Sequence, residues 1–140
     1  MADKVNFHFD IDGENFTSAG EASVMIKKRL REMGFPSEAI RRVSVAMYEG
    51  EINMVIHANG GTADVDVFVD RVEIKLADNG PGISNIDLAM QEGYSTAPDN
   101  IRSLGFGAGM GLPNMKRYTD NMRIESVVGK GTTIYMTVKV

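Results

Sequence analysis

Apolar and polar residues take turns along this chain with two distinct periods. Val5, Phe7, Phe9 and Ile11 alternate with Asn6, His8 and Asp10, the period of a half-buried strand. Ser18-x-x-Glu21 has the form of a capping box, and Ala19, Ala22, Ile26, Leu30 and Met33 follow at helical spacing until Gly34, Phe35 and Pro36 close the helix. Ser37 is placed to cap a second helix running to about Ala58, with Asn59-Gly60-Gly61 after it. Val65, Val67 and Val69 predict a strand and Asp70-Arg71 a tight turn. Val72, Ile74 and Leu76, with Glu73 and Lys75 facing the other way, predict a second strand. From Ser84 to Leu104 periodicity is poor apart from a short helix at Ile86 to Glu92, and so long an irregular connection suggests a lid or a disordered segment. A third helix is expected from near Gly109 to about Tyr118. Strands from Met122 to Val128 and Thr132 to Val140, joined by Gly129-Lys130-Gly131, complete the pattern. Without regular β-α alternation, this order predicts an α+β two-layer sandwich, its helices on one face of the sheet.

Composition narrows the class. At 140 residues, 43% of them hydrophobic, the chain is expected to form a single domain over residues 1–140 with a sizeable core. A net charge of −4 gives no reason to expect nucleic acid as a partner. The absence of cysteine excludes disulfides, zinc–thiolate sites and a thiol nucleophile. The start of the chain lacks a basic segment followed by an apolar run, and no stretch reaches membrane-spanning length. The expectation is a soluble cytoplasmic protein that does not engage a membrane.

Four stretches carry polar groups where the pattern expects apolar ones. Asp78 continues the apolar face of Val72, Ile74 and Leu76, and a carboxylate carried inward needs a partner. Gly80, Pro81 and Gly82 turn the chain directly afterwards, so an ordinary strand-end turn is the competing explanation. On the second helix Glu49, Asn53 and His57 repeat every fourth residue beside Val45, Ile52, Val55 and Ile56. That stripe is either a solvent face or one wall of a site. Gly50 costs about 0.8–1 kcal/mol against alanine in a helix interior, and room for a ligand against the backbone would compensate. Gly105, Gly107, Gly109 and Gly111 alternate before a helix, which either makes a hinge or frees backbone N–H groups to meet an anion. Neither a G-x-G-x-x-G register nor a P-loop fits, since Gly129-Lys130 is followed by glycine. Thr132 shares the parity of Ile134, Met136 and Val138, which turns its hydroxyl toward the core, although threonine also starts many ordinary strands.

Taken in order, the E-x-x-x-N helix (Glu49, Asn53), D-x-G-x-G (Asp78, Gly80, Gly82), a lid, a glycine-rich helix start and G-x-G-T (Gly129 to Thr132) resemble the GHKL, or histidine-kinase-like, ATPase superfamily. The resemblance covers residues from about 37 onward and implies the Bergerat-type fold, a mixed, mainly antiparallel sheet under helices, with an ATP lid at about 84–108. Tyr94-Ser95-Thr96-Ala97-Pro98, Arg102-Ser103 and Gly109-Met110-Gly111-Leu112-Pro113 are similar to bacterial anti-sigma-factor and stressosome-linked serine/threonine kinases.

The resemblance implies roles for particular residues. Asp78, with a water shared by Thr132, would accept the adenine amine, and Gly82, with Gly80 and Ile83, would let the base approach the backbone. Asn53 would hold Mg²⁺, and amides at Gly107 and from Gly109 through Met110 and Gly111 to Leu112 would cradle phosphates. Glu49 would act as general base, and Ser95, Thr96 and Arg102 would contact nucleotide from the lid. The function so implied is an ATP-dependent kinase whose substrate is a small STAS-type anti-anti-sigma protein, with a sigma factor or other regulator as a further partner and a homodimer as its assembly. A nucleotide-gated module that sequesters its partner without catalysis is the rival. A complete sensor histidine kinase is not expected, because the length leaves no helical dimerisation segment carrying a phosphoacceptor histidine.

Overall fold

The computed structural model describes residues 4–13, 20–91 and 111–140. Among them, β1 (Val5–Asp12), β2 (Gly60–Val67), β3 (Arg71–Ala77), β4 (Asn121–Val127) and β5 (Gly131–Lys139) form one sheet in the order β1-β2-β3-β5-β4. The helices are α1 (Glu21–Glu32), α2 (Ser37–Ala58), α3 (Ile86–Ala89) and α4 (Gly111–Arg117). The α+β sandwich is therefore present, and all the strand pairings are antiparallel rather than mixed. No helix among the described residues is long and apolar enough to cross a membrane.

Alternation decides which face of the sheet is covered. Val65 pairs with Ile74, and Ile74 with Met136, so one face is an apolar surface spanning β2, β3 and β5. Onto it pack Ala22, Ile26 and Leu30 of α1 and Val43, Ala46, Met47 and Met54 of α2, with Leu112 and Met115 of α4 beside them. The opposite face is polar: the Arg123 guanidinium lies 4.3 Å from the centre of the Tyr135 ring, and Lys75 approaches the same ring.

Several boundaries differ from the sequence pattern, each for a local reason. Strand β2 stops at Val67, and Val69 sits 91% exposed in a turn closed by the Phe68 amide on the Arg71 carbonyl at 2.8 Å. Met33 follows the last turn of α1 and is exposed, since the chain leaves the helix there. Ser37 is the first residue of α2 rather than its cap, which is Pro36. The short helix is confined to Ile86–Ala89, with the Asn85 side chain accepting from the Leu88 amide at 3.0 Å.

The largest departure lies at the start of α1. The residue before the helix is Gly20, at φ 98, and no side chain of its own segment caps it; Ser18 lies outside the described residues. A carboxylate from another helix does the capping. Glu51 of α2 accepts from the amides of Gly20 (2.9 Å), Ala22 (3.3 Å) and Ser23 (2.7 Å), while Ser23 Oγ donates to the Gly20 carbonyl. Glu51 is 1% exposed, and burial pushes its carboxyl above the usual range against the opposing pull of those amides. Charge and helix dipole are opposite in sign here, a negative group at the positive N-terminal end of a helix.

Candidate functional site

The site is assembled where the end of β3 meets the start of β5. Asp78 follows directly on β3, and its amide donates to the Thr132 carbonyl at 2.9 Å, continuing the ladder by one step. Its carboxylate Oδ1 accepts from the amides of Gly80 (2.9 Å) and Thr132 (3.2 Å). Both bonds fall on the same oxygen, and among the described residues Oδ2 takes no hydrogen bond. The inward carboxylate thus has partners in backbone amides, with its second oxygen able to accept from another donor.

The turn that follows is bound to the hairpin between β4 and β5. Gly129 donates to the Pro81 carbonyl at 2.8 Å, and the Ile83 amide donates to Ser126 Oγ at 2.7 Å. Ser126 Oγ lies 2.8 Å from Thr132 Oγ1, which places the buried Thr132 hydroxyl in a chain of hydrogen bonds ending at the turn. Gly82 has φ +78, and a Cβ there would stand 2.5 Å from the Val127 carbonyl oxygen. A Cβ on Gly80 would be 2.6 Å from the Ala58 methyl. Both glycines permit the turn to sit against its own neighbours, a sufficient reason for their presence.

Helix α2 provides the second wall. Glu49, Asn53 and His57 are half-buried, so the stripe is not an open solvent face. Glu49 Oε1 accepts from Asn114 Nδ2 of α4 at 3.3 Å. The Asn53 amide is pressed against the start of α4, where a Cβ on Gly111 would come within 2.8 Å of its Oδ1. His57 completes the stripe beside Asp78: burial pulls its imidazole below the ordinary value, and the Asp78 charge offsets part of that. Gly50 departs from the sequence reading. A Cβ on it would overlap Leu76 Cδ1 and lie 3.4 Å from Met115 Sδ, so the residue brings α2 down onto the sheet and faces no ligand.

Of the other expected positions, Gly111 opens α4, where helix-start amides lack intrahelical acceptors, and Leu112 is buried in the core. The Ile83 amide is taken by Ser126, so it is not free for a ligand. Ser95, Thr96, Arg102, Gly107, Gly109 and Met110 lie outside the described residues. Three participants carried no motif: Ser126, Asn114 and Glu51. The parity of Ser126 with Met122 and Ile124 marks it as inward-facing, and Glu51 interrupts the apolar spacing of Met47 and Val55. Asn114 had no comparable signal.

No group of three acidic or histidine side chains among the described residues is arranged to hold a metal by itself. Asn53 and Glu49, one helical turn apart on α2, offer an amide oxygen and a carboxylate. That set suits a hard cation taking few protein ligands and completing its shell from phosphate and water.

An α+β sandwich with a carboxylate at a strand end and an E-x-x-x-N helix packed on a glycine-started helix is the class of protein the fold defines. The sequence model for the histidine kinase-, DNA gyrase B- and HSP90-like ATPases matches residues 37–140, and the chain belongs to that family. It is 33% identical to an anti-sigma F factor of Clostridium acetobutylicum, over 99% of this chain and 95% of that protein. To the serine/threonine-protein kinase RsbT of Bacillus subtilis it is 33% identical, over 74% of this chain and 75% of that one. Among solved structures, the chain comprising the RsbU and RsbW domains of Rv1364c from Mycobacterium tuberculosis contains the same fold over part of its length, with a TM-score of 0.64 at 18% identity. That match covers 96% of this chain, which spans 32% of the larger one.

Proposed function

We propose that this chain is an ATP-dependent serine/threonine protein kinase of a bacterial anti-sigma switch, acting in the cytoplasm on a small STAS-type antagonist. Residues 1–140 act as one domain, with the lid at about 84–108. The observation that carries the reading is the packing of the E-x-x-x-N turn of α2, Glu49 and Asn53, on the start of α4, with Asp78 held at the start of β5 and felt by His57 of the same α2 stripe. Similarity to a protein named as a serine/threonine kinase and to proteins named as anti-sigma factors supports the switch.

In this reading Asp78 selects adenine through its open oxygen, and Ser126 orients the Thr132 hydroxyl beside it. Asn53 binds magnesium, which would offset phosphate charge. Amides at the start of α4 face the phosphates, with Ser95, Thr96, Arg102, Gly107, Gly109 and Met110 reaching them from the lid side. Glu49 accepts the proton of the incoming serine hydroxyl, and the Asn114 amide fixes its carboxylate in a single orientation. Water exclusion and γ-phosphate contacts fall to the lid.

A second reading is a nucleotide-gated module that sequesters a sigma factor or another partner with little or no catalysis; in either reading the assembly is a homodimer. It is favoured by the similarity to several proteins named anti-sigma F factor, one of them over 99% of this chain. Glu49→Gln separates the two, because it keeps the shape and removes the base. With labelled ATP and a STAS protein, a kinase loses about 10²–10⁴-fold in transfer with ATP affinity little changed. A binder shows little or no transfer in the native protein, and loss of ATP binding together with activity would rule out the base role.

A further inference from the structure

Three consecutive residues of α2 meet three different neighbours. At 100° per residue, Glu49 points to Asn114 of α4, Gly50 lies down on Leu76 of β3, and Glu51 reaches the first turn of α1. Each contact is close: a hydrogen bond, a separation too short for a methyl group, and three amide bonds to one buried carboxylate. A small rotation of α2 at this turn cannot break one of these contacts without disturbing the others, because the helix is rigid and the packing leaves no slack.

Glu51 has no part in the chemistry proposed above, and a buried carboxylate in a position of apolar spacing is expensive. We propose that Glu51 is a positioning residue that couples the start of α1 to the nucleotide site. It fixes the rotation of α2 at the turn presenting Glu49 and Asn53, and in return the occupancy of that site is felt at the first turn of α1. The exposed face of α1 carries Val24 and Met25 with Lys27, Lys28 and Arg31, so this coupling connects the site to a basic, partly apolar surface. The inference rests on the proposed nucleotide site and adds a regulatory connection to it.

Amide hydrogen exchange on the full chain reads the coupling directly. In the native protein, ATP with magnesium should slow exchange at Ala22 and Ser23 by about tenfold or more, although neither residue is part of the nucleotide site. In Glu51→Gln the side-chain NH₂ faces backbone donors, so basal exchange at these amides should rise by about tenfold. The response to ATP should disappear there while ATP still binds by calorimetry. Glu51→Asp keeps the charge one methylene short and should restore part of the response. If Glu51→Gln unfolds, Glu51→Asp carries the same comparison, since its amides should then exchange faster and respond less than native. Native protein that binds ATP without any change at Ala22 and Ser23 overturns this coupling alone. Failure to bind ATP at all overturns the nucleotide-site reading and the coupling with it, and an unaltered ATP response in both Glu51 variants removes Glu51 from any such role.

Discussion

Replacing Asp78 by asparagine is a sharp test of the base pocket because the structure separates the two oxygens of the carboxylate. Oδ1 accepts from Gly80 and Thr132, and an asparagine carbonyl placed there accepts both bonds unchanged. The turn and its attachment to β5 should survive. The substitution falls on the other atom, where an NH₂ donor takes the place of Oδ2 and, in the proposed pocket, would confront the exocyclic amine of adenine. A hydrogen bond to a charged group contributes about 1.5–3 kcal/mol, so ATP affinity should fall by roughly 10–150-fold. Calorimetry on native and variant protein gives this number, and thermal unfolding without nucleotide checks that the fold is intact. Equal ATP affinity in a folded Asp78→Asn protein would refute the pocket. Unfolding of the variant would instead show that both oxygens serve the structure.

Further expectations follow from neighbouring contacts. Asn53→Ala should remove the magnesium-dependent part of ATP binding and leave the metal-free part, and an equal gain from magnesium in both proteins would exclude Asn53 as a ligand. Gly50→Ala gains about 1 kcal/mol of helix propensity but forces a methyl into the buried Leu76, an overpacking cost of about 1–3 kcal/mol. A net loss of stability in urea unfolding is expected, and a gain would show that the core yields at this point. The two histidines should titrate in opposite directions by NMR. His8 lies above its ordinary value through its hydrogen bond to Asp64, and His57 below it through burial. His57 resists protonation when folded, so its contribution to stability is complete above the unfolded value near 6.5 and is lost as pH falls toward the folded value. Asp78→Asn removes the charge that partly supports His57 and should move its titration lower still.

Periodicity revealed most of the fold, because strand alternation and helical stripes are direct images of burial. Val72, Ile74 and Leu76 follow that pattern into the core, and so does Thr132. What periodicity missed lies where long-range contacts replace local signals. The start of α1 reads locally as a capping box, yet its amides are satisfied by a residue 31 positions from Gly20 along the chain. Gly50 likewise invited a ligand-based explanation from local reasoning, and only the approach of Leu76 from another element identifies its purpose. Asp78 was legible as an inward carboxylate since it continues the apolar face of β3, while Glu49 and Asn53 read as a polar stripe whose half-buried state only the structure gives. Ser126 ties Ile83 to Thr132, and Asn114 holds Glu49, through long-range contacts whose partners no local spacing names.

The strand order has a kinetic meaning. β5 lies between β3 and β4, and its pairing with β3 brings together Asp78 and Thr132, 54 positions apart in sequence. Contacts of such separation close late, after the loop entropy between them has been overcome. The β4–β5 hairpin and the β2–β3 hairpin are local and can form early, but neither alone holds the Asp78 pocket. A chain with every hairpin in place and the two halves still unjoined would therefore lack the proposed base pocket. A nucleotide that binds the joined form draws the population toward it by mass action. Its effect on refolding should then be seen mainly in slower unfolding, with the rate of the first collapse left unchanged.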